Sequence, residues 1–298
     1  MASVTQQTIA TGPSLGSVSR PARALIGWMT QAEGQLMLAQ RHLDKSSLPE
    51  HVERATQARS AVQSRASNLD QSELLSEVGP ELADYIARCK AQPDFAAFKA
   101  EGWQFKIANL SKVCALQPAV FMDHAEERAQ GATAGDMVSL ASVTLPIHSH
   151  PDLPVQFDQQ RNTWIIPSRN PNLRIVGHLT APFDVNGQKV TGCGFLVKFL
   201  PSFVQVVRYR GRYLLRDGYH RALGLLAKGM THVPVLYREF AQFENLGLGD
   251  GMLPEAAYLG DKPPLLSDYL SENVSAEIQL PASQKMIVIQ GMEMNPIG

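Results

Sequence analysis

The sequence predicts an α+β protein, in which a helical N-terminal region is followed by a mixed-sheet α/β domain. Apolar residues recur at three- and four-residue steps over much of residues 21–101, which is typical of amphipathic helices. From Gly102 onward, short segments rich in β-branched and aromatic residues alternate with loops of Pro, Asn, Asp and Gly, which is typical of strands. The first twenty residues are polar and rich in Ser, Thr and Gly. We therefore expect a disordered arm at residues 1–20, a helical region at 21–101 and an α/β domain at 102–298.

The overall composition is that of a globular protein without a dominant charge. The chain has 298 residues, of which 44% are hydrophobic and 18% charged, and a formal net charge of −1. A near-neutral chain lacks the basic field of a typical nucleic-acid-binding protein, so nucleic acid is not an expected partner. No apolar run reaches the roughly 18 residues of a membrane helix, and no secretory leader is evident. The three cysteines form no Cys-x-x-Cys pair, which favours a cytoplasmic location.

Five segments of the first hundred residues predict helices. Pro21 suits the first turn of a helix, and Asp70 with Glu73 three positions later resembles a capping start. Small residues dominate the apolar stripe of the second segment, which favours close packing of helices. The predicted helices are residues 21–43, 49–66, 70–78, 80–90 and 93–100.

The remainder of the chain predicts strands with a few short helices. Alternation of apolar and polar residues, or short β-branched runs bounded by turn residues, marks the strands. The predicted strands outside the central segment are residues 103–107, 137–147, 164–167, 173–179, 194–200, 274–280 and 285–290. Short helices are expected at residues 122–130 and 265–270.

Residues 203–237 carry the clearest chemical pattern of the chain. Two strands at residues 203–209 and 212–215 flank Arg210-Gly211, a two-residue connection of β-hairpin length. A Leu-rich helix follows from Tyr219 and stops at Gly229. A last strand at residues 233–237 contains Pro234, which suits the beginning of a strand or an edge.

The junction between the second strand and the helix suits an anion. A helix N-terminus presents unpaired N–H groups and the positive end of the helix dipole. Gly218 permits close approach of a ligand to the backbone, and His220 and Arg221 in the first turn add donors. Asp217 has two possible roles: it caps the helix, or it acts as a base towards a substrate hydroxyl. This combination predicts a site for phosphate or carboxylate.

The order of these features resembles the ParB/sulfiredoxin-like superfamily over about residues 195–240. Members carry a Gly-x-x-Arg or Gly-x-His-Arg element between strand and helix, followed by a Val-Pro-Val strand. Here the element is Gly218, His220 and Arg221, and the strand begins Val233-Pro234. In that superfamily the element binds nucleotide phosphates. The resemblance therefore implies an α/β module that binds a nucleotide or another phosphorylated small molecule.

The chain departs from two branches of this superfamily and is similar to a third. Sulfiredoxins have a catalytic cysteine where this chain has Tyr219, and chromosome-partition ParB proteins continue into a helix-turn-helix domain that is not evident here. The Asp-Gly-x-x-Arg form resembles the free-serine-kinase and generic ParB-like branches, in which the aspartate lies near the substrate hydroxyl. On that resemblance Asp217 and His220 are catalytic, and Gly218, His220 and Arg221 bind phosphate of a nucleotide with Mg²⁺. The structural alternative is that the motif binds no ligand: Asp217 is then a helix cap, Gly218 a turn residue and Arg221 a surface cation.

Three other patterns of residues in the sequence indicate possible binding sites or contacts. His148, His150 and Asp152 could begin a metal site, although such a pair in a Pro-bounded loop is more often a surface feature. Arginines interleaved with tyrosines at residues 208–216 could hold single-stranded nucleic acid, but they are also typical of a sheet edge, which we favour. Finally, residues 196–240 contain eight Lys and Arg against two Asp and Glu, and residues 241–298 contain two against eight. The acidic segment is expected to fold back on the basic one, or the basic one forms an anion pocket.

The sequence therefore leaves three functional hypotheses. The first is a protein that binds a nucleotide or phosphorylated metabolite, with phosphotransfer as one activity of such a site. The second is a non-catalytic interaction or regulatory protein that binds a partner through residues 21–101. The third is DNA binding, against which the near-neutral charge argues.

Overall fold

The computed structural model describes residues 19–67, 69–147, 153–168, 170, 172–200, 202–282 and 285–291. Helices and strands occur throughout these ranges, so the predicted α+β class is confirmed. The helices are α1 (Gln31–Leu38), α2 (Pro49–Gln63), α3 (Ala83–Ala91), α4 (Ala96–Ala100), α5 (Met122–Arg128), α6 (Met137–Thr144), α7 (Tyr219–Ala227) and α8 (Glu255–Leu259). The strands are β1 (Ser19–Ala24), β2 (Leu75–Ser76), β3 (Gln104–Asn109), β4 (Ala119–Phe121), β5 (Gln156–Asp158), β6 (Thr163–Ser168), β7 (Leu173–Val185), β8 (Gln188–Phe199), β9 (Gln205–Tyr209), β10 (Arg212–Asp217), β11 (His232–Phe240), β12 (Ala276–Pro281) and β13 (Lys285–Gln290).

A five-stranded mixed sheet forms the centre of the molecule. Its order is β10-β9-β11-β3-β2, and β9 and β11 are parallel while the other neighbours are antiparallel. The predicted hairpin is confirmed: Arg210 and Gly211 both have positive φ (45° and 78°), as a two-residue type I′ connection requires. Pro234 lies near the beginning of β11, and pairing with β9 starts only at Leu236. The missing N–H of Pro234 therefore falls before the parallel ladder begins.

Strands in the first hundred residues join this region to the rest of the chain. β1 lies between β12 and β4, with Ser19 opposite Pro281, and β2 extends the central sheet beside β3. The helix predicted for residues 21–43 is therefore wrong in its first part, since Pro21 belongs to β1 and α1 begins only after Thr30. Thr30 and Glu33 form a capping box there. Residues 1–18 of the predicted arm lie outside the described ranges.

Two further predicted elements have the wrong type. Residues 70–78 form no helix but a turn and then β2, and Glu73 has a φ of +53° that no helix accommodates. The segment predicted as a strand at residues 137–147 contains α6 (Met137–Thr144) instead, and the Asp136 carboxylate caps this helix by accepting from the N–H groups of Val138 (3.0 Å) and Ser139 (3.1 Å).

The other predicted elements are confirmed. The segments at residues 49–66, 80–90, 93–100 and 122–130 contain α2, α3, α4 and α5, and a short 3₁₀ helix occupies Leu266–Leu270. The remaining strand predictions correspond to β3, β6, β7, β8, β9, β10, β11, β12 and β13. None of the helices in the described ranges is long and apolar enough to cross a membrane.

One main core and one small satellite core hold these elements together. The main core includes buried residues from both predicted regions, such as Ile26, Leu82, Val206 and Leu223. α5 and α7 pack so closely that a Cβ on Gly224 would lie 2.0 Å from the carbonyl oxygen of Ala125. The satellite core is centred on Ile166, Leu173 and Ile287, and it joins the β13-β6-β5 sheet to the base of the β7-β8 hairpin.

Candidate functional site

A cavity of about 680 Å³ lies at the N-terminal end of α7. It is bounded by the end of β10 and the first turn of α7, by the C-terminal end of α5, and by the base of β8. All five residues of the predicted motif, Asp217 to Arg221, line it. The other charged and amide side chains that line it are those of Asp94, Gln117, Arg128, Asn170, Asn172 and Lys198.

Gly218 makes the turn from β10 into α7. Its φ and ψ are 87° and 22°, a left-handed conformation that glycine adopts without strain. A Cβ at this position would also lie 2.8 Å from the Cα of Val204, the residue directly before β9. The fold therefore requires glycine here for two separate reasons, whatever approaches from the cavity.

The N-terminus of α7 carries no side-chain cap. Of the two roles open to Asp217, helix capping does not occur: its Oδ1 accepts the adjacent N–H of Gly218, at 2.6 Å, and Gly218 itself is the N-cap residue. Helix N–H groups without a cap are suited to an anionic ligand, because they retain donors and the positive end of the helix dipole. The first-turn residues Tyr219, His220 and Arg221 all line the cavity.

Asp217 is a carboxyl group in a poorly solvated position. Burial raises its pKa above the usual value, although the N–H of Gly218 and the nearby guanidinium groups of Arg221 and Arg216 act in the opposite direction. A carboxylate with a raised pKa is a better proton acceptor than an exposed one. Such a group in a cavity is a candidate for function rather than for stability.

Arg221 is held in place by Ser202, which also lines the cavity. Its guanidinium donates to the carbonyl oxygen of Ser202 and, at 3.0 Å, to the hydroxyl of the same residue. Burial and the neighbouring Arg128 lower its pKa to about 10, so it stays cationic at neutral pH. Arg221 is therefore a positioned, partly buried cation and not the surface cation of the structural alternative.

His220 is neutral at physiological pH. Burial lowers its pKa to about 4, and the nearby basic side chains of His124, Arg128, Arg20 and Arg221 act in the same direction. Its ring is stacked on Phe121 at 6.4 Å and lies 5.3 Å from the ring of His124, between centroids. The buried Nε2 has no hydrogen-bond partner among the described residues.

Two cations from distant parts of the chain complete the lining. Arg128, in the last turn of α5, makes no hydrogen bond or ion pair with any residue in the described ranges, whereas Lys198 of β8 is paired with Asp94. Together with Arg221 they give the cavity three basic side chains against two acidic ones. No local sequence signal identifies Arg128 or Lys198, because only the packing of α5 and β8 brings them to the motif.

Tyr219 has a structural role. Its fully buried hydroxyl donates to the carbonyl oxygen of Leu215 at 2.7 Å and accepts from the N–H of Leu116 at 2.6 Å. Burial raises its pKa, so the phenol stays protonated. The side chain thus fastens the first turn of α7 to the segment before β4.

The other constellations separate in the structure. His148, His150 and Asp152 lie outside the described residues, and within the described ranges no group of three His, Cys, Asp or Glu is placed to hold a metal ion. The arginine-rich hairpin ends in β10, which is the edge strand of the central sheet, whereas Arg208 lies on the inner strand β9. The acidic C-terminal segment folds back over it, since Arg210 is paired with Glu255 at 2.6 Å.

Comparisons of the chain with known protein families, with curated proteins and with solved structures find no match.

Proposed function

We propose that the cavity at the N-terminus of α7 binds the phosphate of a nucleotide or of another phosphorylated small molecule. One observation carries this proposal: an uncapped helix N-terminus faces the same cavity as three basic side chains, those of Arg128, Lys198 and Arg221. Helix N–H groups and arginine side chains together are the usual donors to phosphate. The cavity volume of about 680 Å³ falls within the range of about 300–1,000 Å³ that is typical of small-molecule sites.

The residues divide into two groups by their chemistry. The guanidinium groups of Arg128 and Arg221 would contact the anion, together with the N–H groups of the first helical turn. Asp217, whose pKa burial raises, would accept a hydrogen bond or a proton from a hydroxyl of the ligand. His220 is neutral and would act as a donor or acceptor, not as a charge.

This division of roles is compatible with phosphotransfer. A nucleotide with Mg²⁺ would supply the phosphoryl group, and Asp217 would accept the proton of the attacking hydroxyl. The order β9, β10, α7 and β11 supports the proposal, because the ParB/sulfiredoxin-like resemblance of residues 195–240 implies this order. A cytoplasmic location and a protein partner for residues 21–101 are further proposals that rest on sequence alone.

A thermal-shift panel tests the binding proposal. The panel contains ATP, ADP, GTP, AMP, pyrophosphate, sugar phosphates and phosphoamino acids, each with and without Mg²⁺. A compound at about 100 times its dissociation constant adds about 2.7 kcal/mol to the apparent free energy of unfolding, which is a readily measured shift. We expect at least one compound to stabilise the protein in this way.

Arg128→Ala and Arg88→Ala are the matched variants for this panel. Both arginines lie in the last turn of a short helix, so both substitutions remove the same favourable interaction with a helix C-terminus. Arg128 lines the cavity and Arg88 does not. The shift should disappear in Arg128→Ala and persist in Arg88→Ala. A panel without any stabilising compound would overturn the proposal.

A further inference from the structure

The β7-β8 hairpin is a long two-stranded ribbon that protrudes from the satellite core. Twelve residue pairs connect its strands, from Leu173 opposite Phe199 to Val185 opposite Gln188. At about 3.3 Å per residue the ribbon is roughly 40 Å long. A two-stranded ribbon is marginally stable in water unless another layer covers one of its faces.

One face of this ribbon is apolar except for Gln188, which lies opposite Val185 at the tip. Residues that are opposite each other share a face, and successive residues alternate between faces, so the register assigns every side chain. Beyond the bulge between Ile175 and Gly177, one face carries no charged side chain between Gly177 and Val185 or between Val190 and Leu196. We call it the apolar ribbon face, and its large or apolar side chains are Leu179, Ala181, Phe183, Val185, Val190 and Leu196.

The opposite face has a different character. It carries polar and charged residues at the same level of the ribbon: His178, Thr180, Asp184, Lys189, Thr191 and Cys193, together with Pro182 and Phe195. The ribbon is thus amphipathic, as a strand pair with one covered face is expected to be. Yet Leu179, Phe183 and Leu196 on the apolar ribbon face are 45%, 52% and 50% exposed.

On the apolar ribbon face, large side chains pack over glycines of the neighbouring strand. The ring of Phe183 covers Gly192, where a Cβ would lie 2.3 Å from the ring, and Leu179 lies against Gly194. Leu196 lies against Gly177 in the same way. These contacts flatten the face, since each large side chain lies along the sheet above a residue that has none. A flat and uncharged face can pack closely against an identical one.

Area and charge both favour a second copy of the chain as the occupant. The apolar ribbon face spans nine residues of β7, so it is roughly 30 Å long and about 10 Å wide and presents on the order of 300 Å², which is within the size of the largest apolar patches on typical monomers. Two such faces together bury on the order of 600 Å², which only weak, reversible complexes and not obligate dimers have. The net charge of −1 imposes no long-range repulsion between copies.

We propose that the apolar ribbon face is a self-association surface, which pairs with the same face of a second copy in a two-fold dimer. The pairing is isologous, so each substitution on this face acts twice in one interface. Because the buried area is small, the dimer should dissociate at micromolar concentrations, and the equilibrium is within reach of ordinary hydrodynamic measurements.

Sedimentation velocity of the full chain between about 1 and 200 μM tests this proposal. The wild type should shift from monomer to dimer across the range. Leu179→Asp on β7 and Val190→Asp on β8 should each raise the dissociation constant by at least about tenfold, because each places two carboxylates in an apolar interface. Thr180→Asp is the matched control, since it adds the same charge one residue away on the opposite face.

Three outcomes would overturn the proposal. The first is a wild type that stays monomeric at 200 μM. The second is a dimer that both Leu179→Asp and Val190→Asp leave unchanged, and the third is a dimer that Thr180→Asp weakens as much as they do. All three substituted side chains are exposed in the folded chain, so far-ultraviolet circular dichroism and thermal midpoints should match the wild type.

Discussion

Replacing Gly218 by alanine should destabilise the protein far more than the same replacement at Gly229. Both glycines adopt a left-handed backbone, with φ of 87° and 78°, and they stand at the two ends of α7. The conformational strain of an alanine is therefore the same at either position. The positions differ in surroundings: the new Cβ meets nothing within 4 Å at Gly229, whereas at Gly218 it lies 2.8 Å from the Cα of Val204.

The expected magnitudes follow from this difference. A left-handed alanine costs about 1–2 kcal/mol, which is the whole expected loss for Gly229→Ala. Forcing a methyl group into a packed region costs about 1–3 kcal/mol more, and a backbone atom such as the Cα of Val204 yields less readily than a side chain. We therefore expect Gly218→Ala to lower the free energy of unfolding by roughly 2–5 kcal/mol in total.

Urea denaturation of the two variants and the wild type, at neutral pH and 25 °C, measures both losses. The denaturant dependence of the unfolding free energy should be equal in all three proteins, so that the midpoints report stability directly. Equal losses in Gly218→Ala and Gly229→Ala would refute the reasoning, because the contact with Val204 would then contribute nothing.

Four further predictions follow from the site and from its supports. Gly224→Ala should lower the free energy of unfolding by about 2 kcal/mol or more, because its methyl group would overlap the carbonyl oxygen of Ala125. The higher helix propensity of alanine does not compensate for this overlap, and urea denaturation measures the loss. Wild-type stability should fall by up to about 3 kcal/mol as the pH falls from 6.5 to 4, since the folded pKa of His220 is about 4 and unfolded histidine binds the proton first; His220→Gln should flatten this profile. Asp217→Asn should be more stable than the wild type at pH 7 and lose that advantage on acidification towards pH 3.8, because the raised pKa makes the ionised carboxylate unfavourable in the fold. A chain that starts at Gly102 should aggregate, because it lacks β1 and β2.

Each of these predictions has an opposite result that would contradict it. A stabilised Gly224→Ala would mean that α5 and α7 are not in close contact. A profile for His220→Gln as steep as that of the wild type would place the acid sensitivity elsewhere. A less stable Asp217→Asn at pH 7 would show that the carboxylate contributes to folding. A soluble monomer from Gly102 onward would make residues 21–101 a separable region.

The sequence predicted local elements well where local chemistry decides them. The hairpin at Arg210-Gly211 and the helix that ends at Gly229 follow from residues a few positions apart. The sequence-based prediction failed where pairing with a distant segment determines the local structure. Pro21 lies in β1 because β12 pairs with that segment from the other end of the chain, and no periodicity in residues 21–43 carries this information.

One missed element did have a local signal. Residues 137–147 are apolar and contain β-branched side chains, which favoured a strand. Asp136 directly before them is a strong N-cap residue, and in the structure its carboxylate receives the first N–H groups of α6. The N-cap residue therefore decides the structure of this segment more strongly than the strand propensity of its apolar residues.

The candidate site was predictable only in part. Residues 217–221 form one continuous turn, so sequence spacing identified them together. Arg128 and Lys198 reach the same cavity through the close contact of α5 with α7 and through the base of the β7-β8 ribbon. Gly224 permits the first of these contacts, and its role inside a Leu-rich helix is visible only once both helices are placed.

Calorimetric titration of the chain with the most stabilising compound of the thermal-shift panel tests the central claim most directly. The titration is carried out with the wild type, Arg128→Ala and Arg88→Ala. We predict one site per chain, a dissociation constant at least about tenfold higher in Arg128→Ala, and no change in Arg88→Ala. Equal dissociation constants in all three proteins would place the ligand outside the cavity at α7 and contradict the account.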